Sequence, residues 1–190
     1  MQRWIVVEGL DGSGKTTVAK WIKEYYEGKG EKVLVQMHPS ERLTGTIARR
    51  SLQNKGLHMY ALSTLFYVLD VLISVSRLKK WEREYDNIVF IRYVMGAAYL
   101  PRRYAKKGYD IITKILPLPD RLLLVDVTPE TALHRMAMRD DKEEMFENLA
   151  ALVNVRNKVN LLASDWTVLD NNDGEAGSRE RLSKILANWD

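Results

Sequence analysis

Short apolar runs rich in β-branched residues recur at 4–7, 33–35, 88–91, 122–125 and 167–169, and longer segments with helical spacing of apolar positions lie between them. Each run is continuous rather than alternating, which means that both faces of the strand are covered. The pattern therefore predicts an α/β fold: a doubly wound parallel sheet of five strands flanked by helices. The helices are expected at 15–28, 44–54, 57–81, 97–107, 129–138, 142–163 and 174–188. Gly28 and Gly30 stand where the first helix should close, Pro129 follows Thr128 as a first helical residue, and Gly108 stands where it would cap the fourth. No composition break, repeat or linker divides the chain, so it reads as one domain over 1–190.

A chain of 190 residues is long enough to bury a full core, and with no Cys it has neither a disulfide framework nor a thiolate metal site. That composition agrees with a cytoplasmic location. Glu8 and Asp11 come too early for a secretory leader, and the apolar stretch 57–78 carries His58, Asp70 and Arg77, so no membrane span is expected. The 29 basic and 25 acidic residues leave a net charge of only +4. So small a surplus suits a pocket for small anions better than a nucleic-acid track, although Arg49-Arg50, Lys79-Lys80, Arg102-Arg103 and Lys106-Lys107 form basic pairs.

The candidate chemistry begins after the first strand. Gly9-Leu10-Asp11-Gly12-Ser13-Gly14-Lys15-Thr16-Thr17 matches the phosphate-loop pattern G-x-x-x-x-G-K-[ST] in its required context, a strand before and a helix after. Such a loop turns successive backbone N–H groups toward the phosphates of ATP. Lys15 reaches the β/γ oxygens, the Thr16 hydroxyl is placed to ligate Mg²⁺, and the helix dipole faces the same anion. The fold class expected is thus a P-loop NTPase. A guanine-reading Asn-Lys-x-Asp segment is absent after the fourth strand, where Asp126-Val127-Thr128-Pro129 stands, which argues against a GTP switch.

Along nearly its whole length the chain resembles the thymidylate kinase family of nucleoside monophosphate kinases. The resemblance is carried by the phosphate loop with its acid at Asp11, by Leu124-Val125-Asp126-Val127-Thr128-Pro129-Glu130-Thr131-Ala132-Leu133-His134-Arg135, and by Glu144-Met145-Phe146-Glu147-Asn148-Leu149. It implies transfer of the ATP γ-phosphoryl group to a nucleoside 5′-monophosphate, most readily dTMP to dTDP, with Mg²⁺, in a homodimer. Arg92 resembles the arginine of the family's Asp-Arg-Tyr/His motif and would clamp the transferring group; Arg42 resembles the one that grips the acceptor phosphate. Arg135 and Arg139 would belong to a lid at about 135–145 that excludes water. Asp11 is implied at the acceptor 3′-hydroxyl and Phe66 against the acceptor base. Tyr93, Tyr99 and Tyr104 are candidates to line the acceptor side, and each also fits a half-buried position with one polar tip. Asp170-Asn171-Asn172-Asp173-Gly174 resembles the adenine-facing turn, which places Asn171 with ATP.

Each arginine also fits a solvated loop, and Phe66, with Leu62, Leu65 and Leu69 near it, also fits ordinary helix core. Three departures from the family pattern carry consequences. Ile91 stands where the family has the Asp before the motif arginine, leaving Glu8 and Asp126 as substitutes near magnesium or as capping groups. Asp70 stands where a base-contacting Arg is common; a carboxylate there would accept from an exocyclic amino group and so favour an acceptor other than thymidylate. The segment around Pro39 lacks Glu-Pro-Gly-Gly. These changes leave open a kinase for another nucleotide or a nucleoside, and a nucleotide-binding regulatory protein with little activity.

Overall fold

The apolar runs pair as the period predicts. In the computed structural model, which describes residues 2–52, 57–138 and 148–190, β1 (Arg3–Gly9), β2 (Val33–Met37), β3 (Asn87–Ile91), β4 (Arg121–Asp126) and β5 (Thr167–Asp170) form one parallel sheet in the order β2-β3-β1-β4-β5. Register is fixed by pairs such as Val7 with Ile91 and Gly9 with Val125, so the carboxyl ends of β1, β3 and β4 lie side by side.

Helices α1 (Lys15–Glu27), α2 (Leu43–Leu52), α3 (Leu57–Trp81), α4 (Arg102–Ile115), α5 (Pro129–Ala137) and α6 (Leu149–Leu162) lie between the strands, and α7 (Glu175–Trp189) follows β5. Two separate apolar layers result. One joins Ile5, Val7, Val89 and Leu123 to Val18 and Ile22 of α1 and Leu182 of α7; the other joins Val6, Phe90 and Leu124 to Val71 of α3 and Val155 of α6. Thr128 caps α5 by accepting from the N–H of Thr131, with Pro129 as the first helical residue, and Gly28 caps α1.

One helix differs from expectation. The segment expected to be helical at 97–107 is a short 3-10 turn, Met95–Tyr99, followed by α4 beginning after Pro101. Proline lacks the N–H that would continue the earlier turn, and it sets the φ that starts the next helix. Gly108 does not cap this helix but lies inside it, where a Cβ would stand 2.8 Å from Leu100. Part of the helix expected at 142–163 lies outside the described residues; the described part is α6, capped by the Asn148 side chain on the Ala151 N–H.

Candidate active site

The loop from β1 to α1 bends because its glycines adopt conformations closed to other residues. Gly14 has φ +89°, and a Cβ on it would lie 2.7 Å from the Asn171 amide. Lys15, only 5% exposed, folds back over the loop and donates to the carbonyls of Gly9, at 2.9 Å, and Leu10. Thr16 and Thr17 are exposed at the start of α1. Ser13 is buried, and its carbonyl accepts from Asn171 Nδ2 at 2.7 Å. Arg135 donates to the Asn171 carbonyl at 2.8 Å, so Asn171 joins the end of β5, the phosphate loop and α5 on one side. Arg139 and the rest of the expected lid to 145 lie outside the described residues, as do Asp140, Asp141 and Lys142.

On the opposite side, Asp11 gathers three groups. Arg92 donates to its carboxylate, Tyr99 Oη donates at 2.7 Å, and Lys15 Nζ stands 3.8 Å away. Burial alone would raise the Asp11 pKa, but the Lys15 and Arg92 charges and the Tyr99 hydroxyl together hold it well below the usual carboxylate range. Burial and the adjacent Asp11 carboxylate push the Tyr99 hydroxyl up, which keeps it a donor. Arg92 has φ +60°, a left-handed conformation that is rare for a side chain of this size. Its carbonyl accepts from Tyr67 Oη at 2.9 Å and faces His38 Nδ1 at 3.1 Å.

Neither acid considered as a substitute for the carboxylate absent at Ile91 is open. Glu8 is 2% exposed, and one of its oxygens accepts from the N–H groups of Tyr93, Val94 and Met95 at 2.5, 2.8 and 3.1 Å. Asp126 is held by Arg156, whose Nε and Nη2 donate to its two oxygens at 2.9 and 2.7 Å. Ile91 itself is buried at the end of β3. Among the described residues no group of three or more His, Cys, Asp or Glu could hold a metal ion, while Thr16 presents an exposed hydroxyl beside the phosphate loop, a donor of the kind that fits Mg²⁺.

Asp70 lies elsewhere than the resemblance would place a base-reading residue. It is fully buried, and its oxygens accept from Ser40 N at 2.7 Å, Ser40 Oγ at 2.6 Å and Thr44 Oγ1 at 2.8 Å, with Arg42 Nε at 3.3 Å. The carboxylate therefore holds the loop that follows β2 and the start of α2, and the reason for expecting an acceptor other than thymidylate falls away. Gly45 allows this closure, since a Cβ would stand 2.1 Å from the Ser40 carbonyl oxygen. Tyr93 is likewise a core residue: it is 2% exposed, packs edge-on to Trp4 and Phe90, and donates to the Pro117 carbonyl at 2.9 Å. Phe66 is half-buried on α3, and Tyr104 is exposed on α4 beneath the Arg103 guanidinium.

Arg42 donates to Ser40 Oγ at 2.9 Å and to Ser74 Oγ, whereas its Nη1 is buried with no hydrogen-bond partner among the described residues. A buried guanidinium nitrogen left without an acceptor fits an anionic oxygen. A cleft of about 610 Å³ opens here, lined among others by Thr16, Gln36, Glu41, Arg42, Arg77 and Ile91. It joins the start of α1 to the loop bearing Arg42.

Sequence reasoning missed His38, Ser40, Tyr67 and Ser74, all of which position the arginines. His38 stands at the carboxyl end of β2 before a cis proline, a place where ligand-side residues collect, but its partners could not be read from spacing. It is fully buried, and burial lowers its pKa from 6.5 to about 4. The unfolded chain therefore binds a proton more readily than the folded one, and stability is lost as pH falls from 6.5 toward 4. The expected loss is on the order of 3 kcal/mol. Urea unfolding at pH 7 and pH 4.5 should show a drop that is clearly smaller in His38→Asn; an equal drop in both would mean that other groups cause it.

A phosphate loop at the carboxyl edge of a β2-β3-β1-β4-β5 parallel sheet defines an α/β protein of the P-loop NTPase class. The model of the family described as thymidylate kinase matches residues 7–178. The chain is 31% identical to a probable thymidylate kinase 1 of Saccharolobus solfataricus, with 98% of this chain and 97% of that protein covered. It is 33% identical to a probable thymidylate kinase of Methanococcus aeolicus, over 83% of this chain and 78% of that one, and 27% identical to a thymidylate kinase of Leptospira borgpetersenii, over 96% and 91%. The chain belongs to the thymidylate kinase family and is a nucleoside monophosphate kinase. Among the described residues no helix is long and apolar enough to cross a membrane.

Proposed function

We propose that this enzyme transfers the γ-phosphoryl group of ATP to thymidine 5′-monophosphate, giving dTDP and ADP. The observation that carries the reading is the convergence of Lys15, Asp11 and Arg92 at the phosphate loop, with Arg42, whose Nη1 has no hydrogen-bond partner among the described residues, lining the adjoining cleft. Phosphoryl transfer needs no covalent nucleophile from the protein; it needs cations and N–H groups fixed around two phosphates in line.

The donor side consists of the backbone of Gly9, Leu10, Asp11, Gly12, Ser13 and Gly14, with Lys15 on the β/γ oxygens and Thr16 and Thr17 at the helix start. Asn171 and Arg135 border the nucleotide. Thr16 would hold Mg²⁺ through its hydroxyl, and the ion would supply charge neutralisation for the phosphates. On the acceptor side Arg42 takes the monophosphate, Arg92 bridges it to the transferring group, Asp11 and Tyr99 receive the sugar, and Phe66 meets the base. Asp70 and Tyr93 support this arrangement from behind. Both Asp70 oxygens are taken up in protein hydrogen bonds, so this carboxylate is not offered to an amino-bearing base.

Purified protein given Mg·ATP and each common monophosphate in turn should form ADP selectively with dTMP. Brisk turnover of a different monophosphate, with dTMP left unused, would overturn the acceptor assignment. The whole chain would act as one cytoplasmic P-loop kinase domain.

A second copy would cover α3. Leu62, Leu65, Val68, Leu69 and Leu72 are 37–55% exposed and form a stripe along it, which is unusual for a free helix surface. Sedimentation should give a homodimer, and Leu65→Glu combined with Leu69→Glu should give a folded monomer. A monomeric parent protein would contradict the assignment.

A further inference from the structure

The two arginines read as acceptor-side groups are joined through the interior by a hydrogen-bond chain that no spacing in the sequence suggests. Arg42 Nη2 donates to Ser74 Oγ, Ser74 Oγ lies 2.7 Å from His38 Nε2, and His38 Nδ1 lies 3.1 Å from the carbonyl oxygen of Arg92. The direction of the chain follows from its ends. A carbonyl oxygen can only accept, so the proton of the neutral imidazole is on Nδ1. Nε2 is then an acceptor, and Ser74 must give it its single hydroxyl proton, along the shorter of two contacts; the other, to the Asp70 carbonyl, is 3.2 Å. A guanidinium can only donate, so Arg42 completes the order.

Every group in the chain is held. His38, Ser74 and Asp70 are each fully buried, and the His38 ring packs edge-on to Phe90 at 5.3 Å. The Arg92 carbonyl at the far end belongs to a residue in a left-handed conformation, and it meets His38 Nδ1 and Tyr67 Oη among the described residues. Strained backbone persists only where its surroundings fix it.

We propose that His38 is a positioning residue that couples the hold of Arg42 on the acceptor phosphate to the backbone placement of Arg92, through the ordered chain Arg42 to Ser74 to His38 to Arg92. This inference rests on the reading of Arg42 and Arg92 as the acceptor and transfer arginines. A phosphate on Arg42 draws on the same guanidinium that polarises Ser74, and hydrogen bonds in series strengthen or weaken together. The Arg92 backbone thereby responds to occupancy of the acceptor site.

Two amide replacements cut the chain at different links. Asparagine at 38 keeps an N–H near the Nδ1 position and loses reach to Ser74; glutamine reaches toward Ser74 and leaves the Arg92 carbonyl to Tyr67 alone. His38→Asn should raise the KM for dTMP about 3–10-fold with kcat within about twofold. His38→Gln should lower kcat about 5–10-fold with that KM within about twofold, and Tyr67→Phe added to it should lower kcat by more than the product of the single effects. The KM for ATP stays unchanged throughout. Parallel changes in kcat and KM in both amide variants, or no change in either, would overturn the positioning role given to the two links of His38.

Imidazole ¹⁵N spectra give a readout independent of these variants. The wild-type ring should be the neutral Nδ1–H tautomer, and its proton should shift when dTMP is added to the wild type but not to Arg42→Ala. An Nε2–H tautomer, or a shift that survives in Arg42→Ala, would also refute it. If Arg42→Ala and Arg92→Ala themselves leave the dTMP kinetics untouched, it is the underlying site assignment that fails, since the tautomer and its hydrogen bonds can still be observed.

Discussion

Lys15→Ala should lower turnover with Mg·ATP and dTMP about 10²–10³-fold, the scale seen when one preorganised charge at a developing anion is removed. The ammonium is folded back against the loop, within reach of the Gly9 and Leu10 carbonyls and 3.8 Å from Asp11. Substrate phosphates would draw it outward, and its charge would act on the transferring oxygens. Its aliphatic stem belongs to neither apolar layer, so the fold should persist. Circular dichroism and a melting curve close to the parent's, together with the kinetic loss, would meet the expectation. Undiminished turnover in material free of contaminating kinase would remove Lys15 from the transfer step.

Removal of Arg92 should have a comparable effect on rate with a different signature in stability. Arg92→Ala and Arg92→Gly should both lower kcat about 10²–10³-fold, because the guanidinium that bridges Asp11 and the phosphates is lost in each. The two should differ in unfolding free energy. At φ +60° an alanine Cβ is strained and glycine is not, so the glycine variant should be more stable by about 1 kcal/mol. Urea denaturation of the pair checks the backbone geometry separately from the chemistry. Equal stability of the two variants would mean that residue 92 does not hold the left-handed conformation in solution.

The features legible in the sequence were those written within a few consecutive residues. The β-branched runs located all five strands to within one or two residues at each end, because continuous apolar stretches bury both faces of a parallel sheet. The phosphate loop was legible for a similar reason: its glycines, Lys15 and the flanking strand and helix are contiguous. The Thr128-Pro129 helix start was likewise local. Where a local signal was ambiguous it misled. Gly108 looks like a helix terminator in sequence, but close approach to Leu100 was the actual requirement, and Pro101 set the boundary.

Residues whose meaning depends on distant partners were not legible. Asp70 looked like a base-reading carboxylate at one end of a helical spacing; its partners Ser40 and Thr44 are 30 and 26 residues away. Tyr93, beside the motif arginine, turned inward to the core because Glu8 captures the N–H groups of 93–95 and fixes the turn.

By itself the sequence determined the parallel sheet, the phosphate loop and the family pattern that surrounds it, since these follow from apolar periodicity and from groups adjacent along the chain. Only the tertiary structure decided which carboxylates are free and which are occupied, and how Arg42 and Arg92 are connected through His38 and Ser74. A buried polar group must find its hydrogen-bond partners wherever packing brings them, and packing joins segments that the chain order keeps apart.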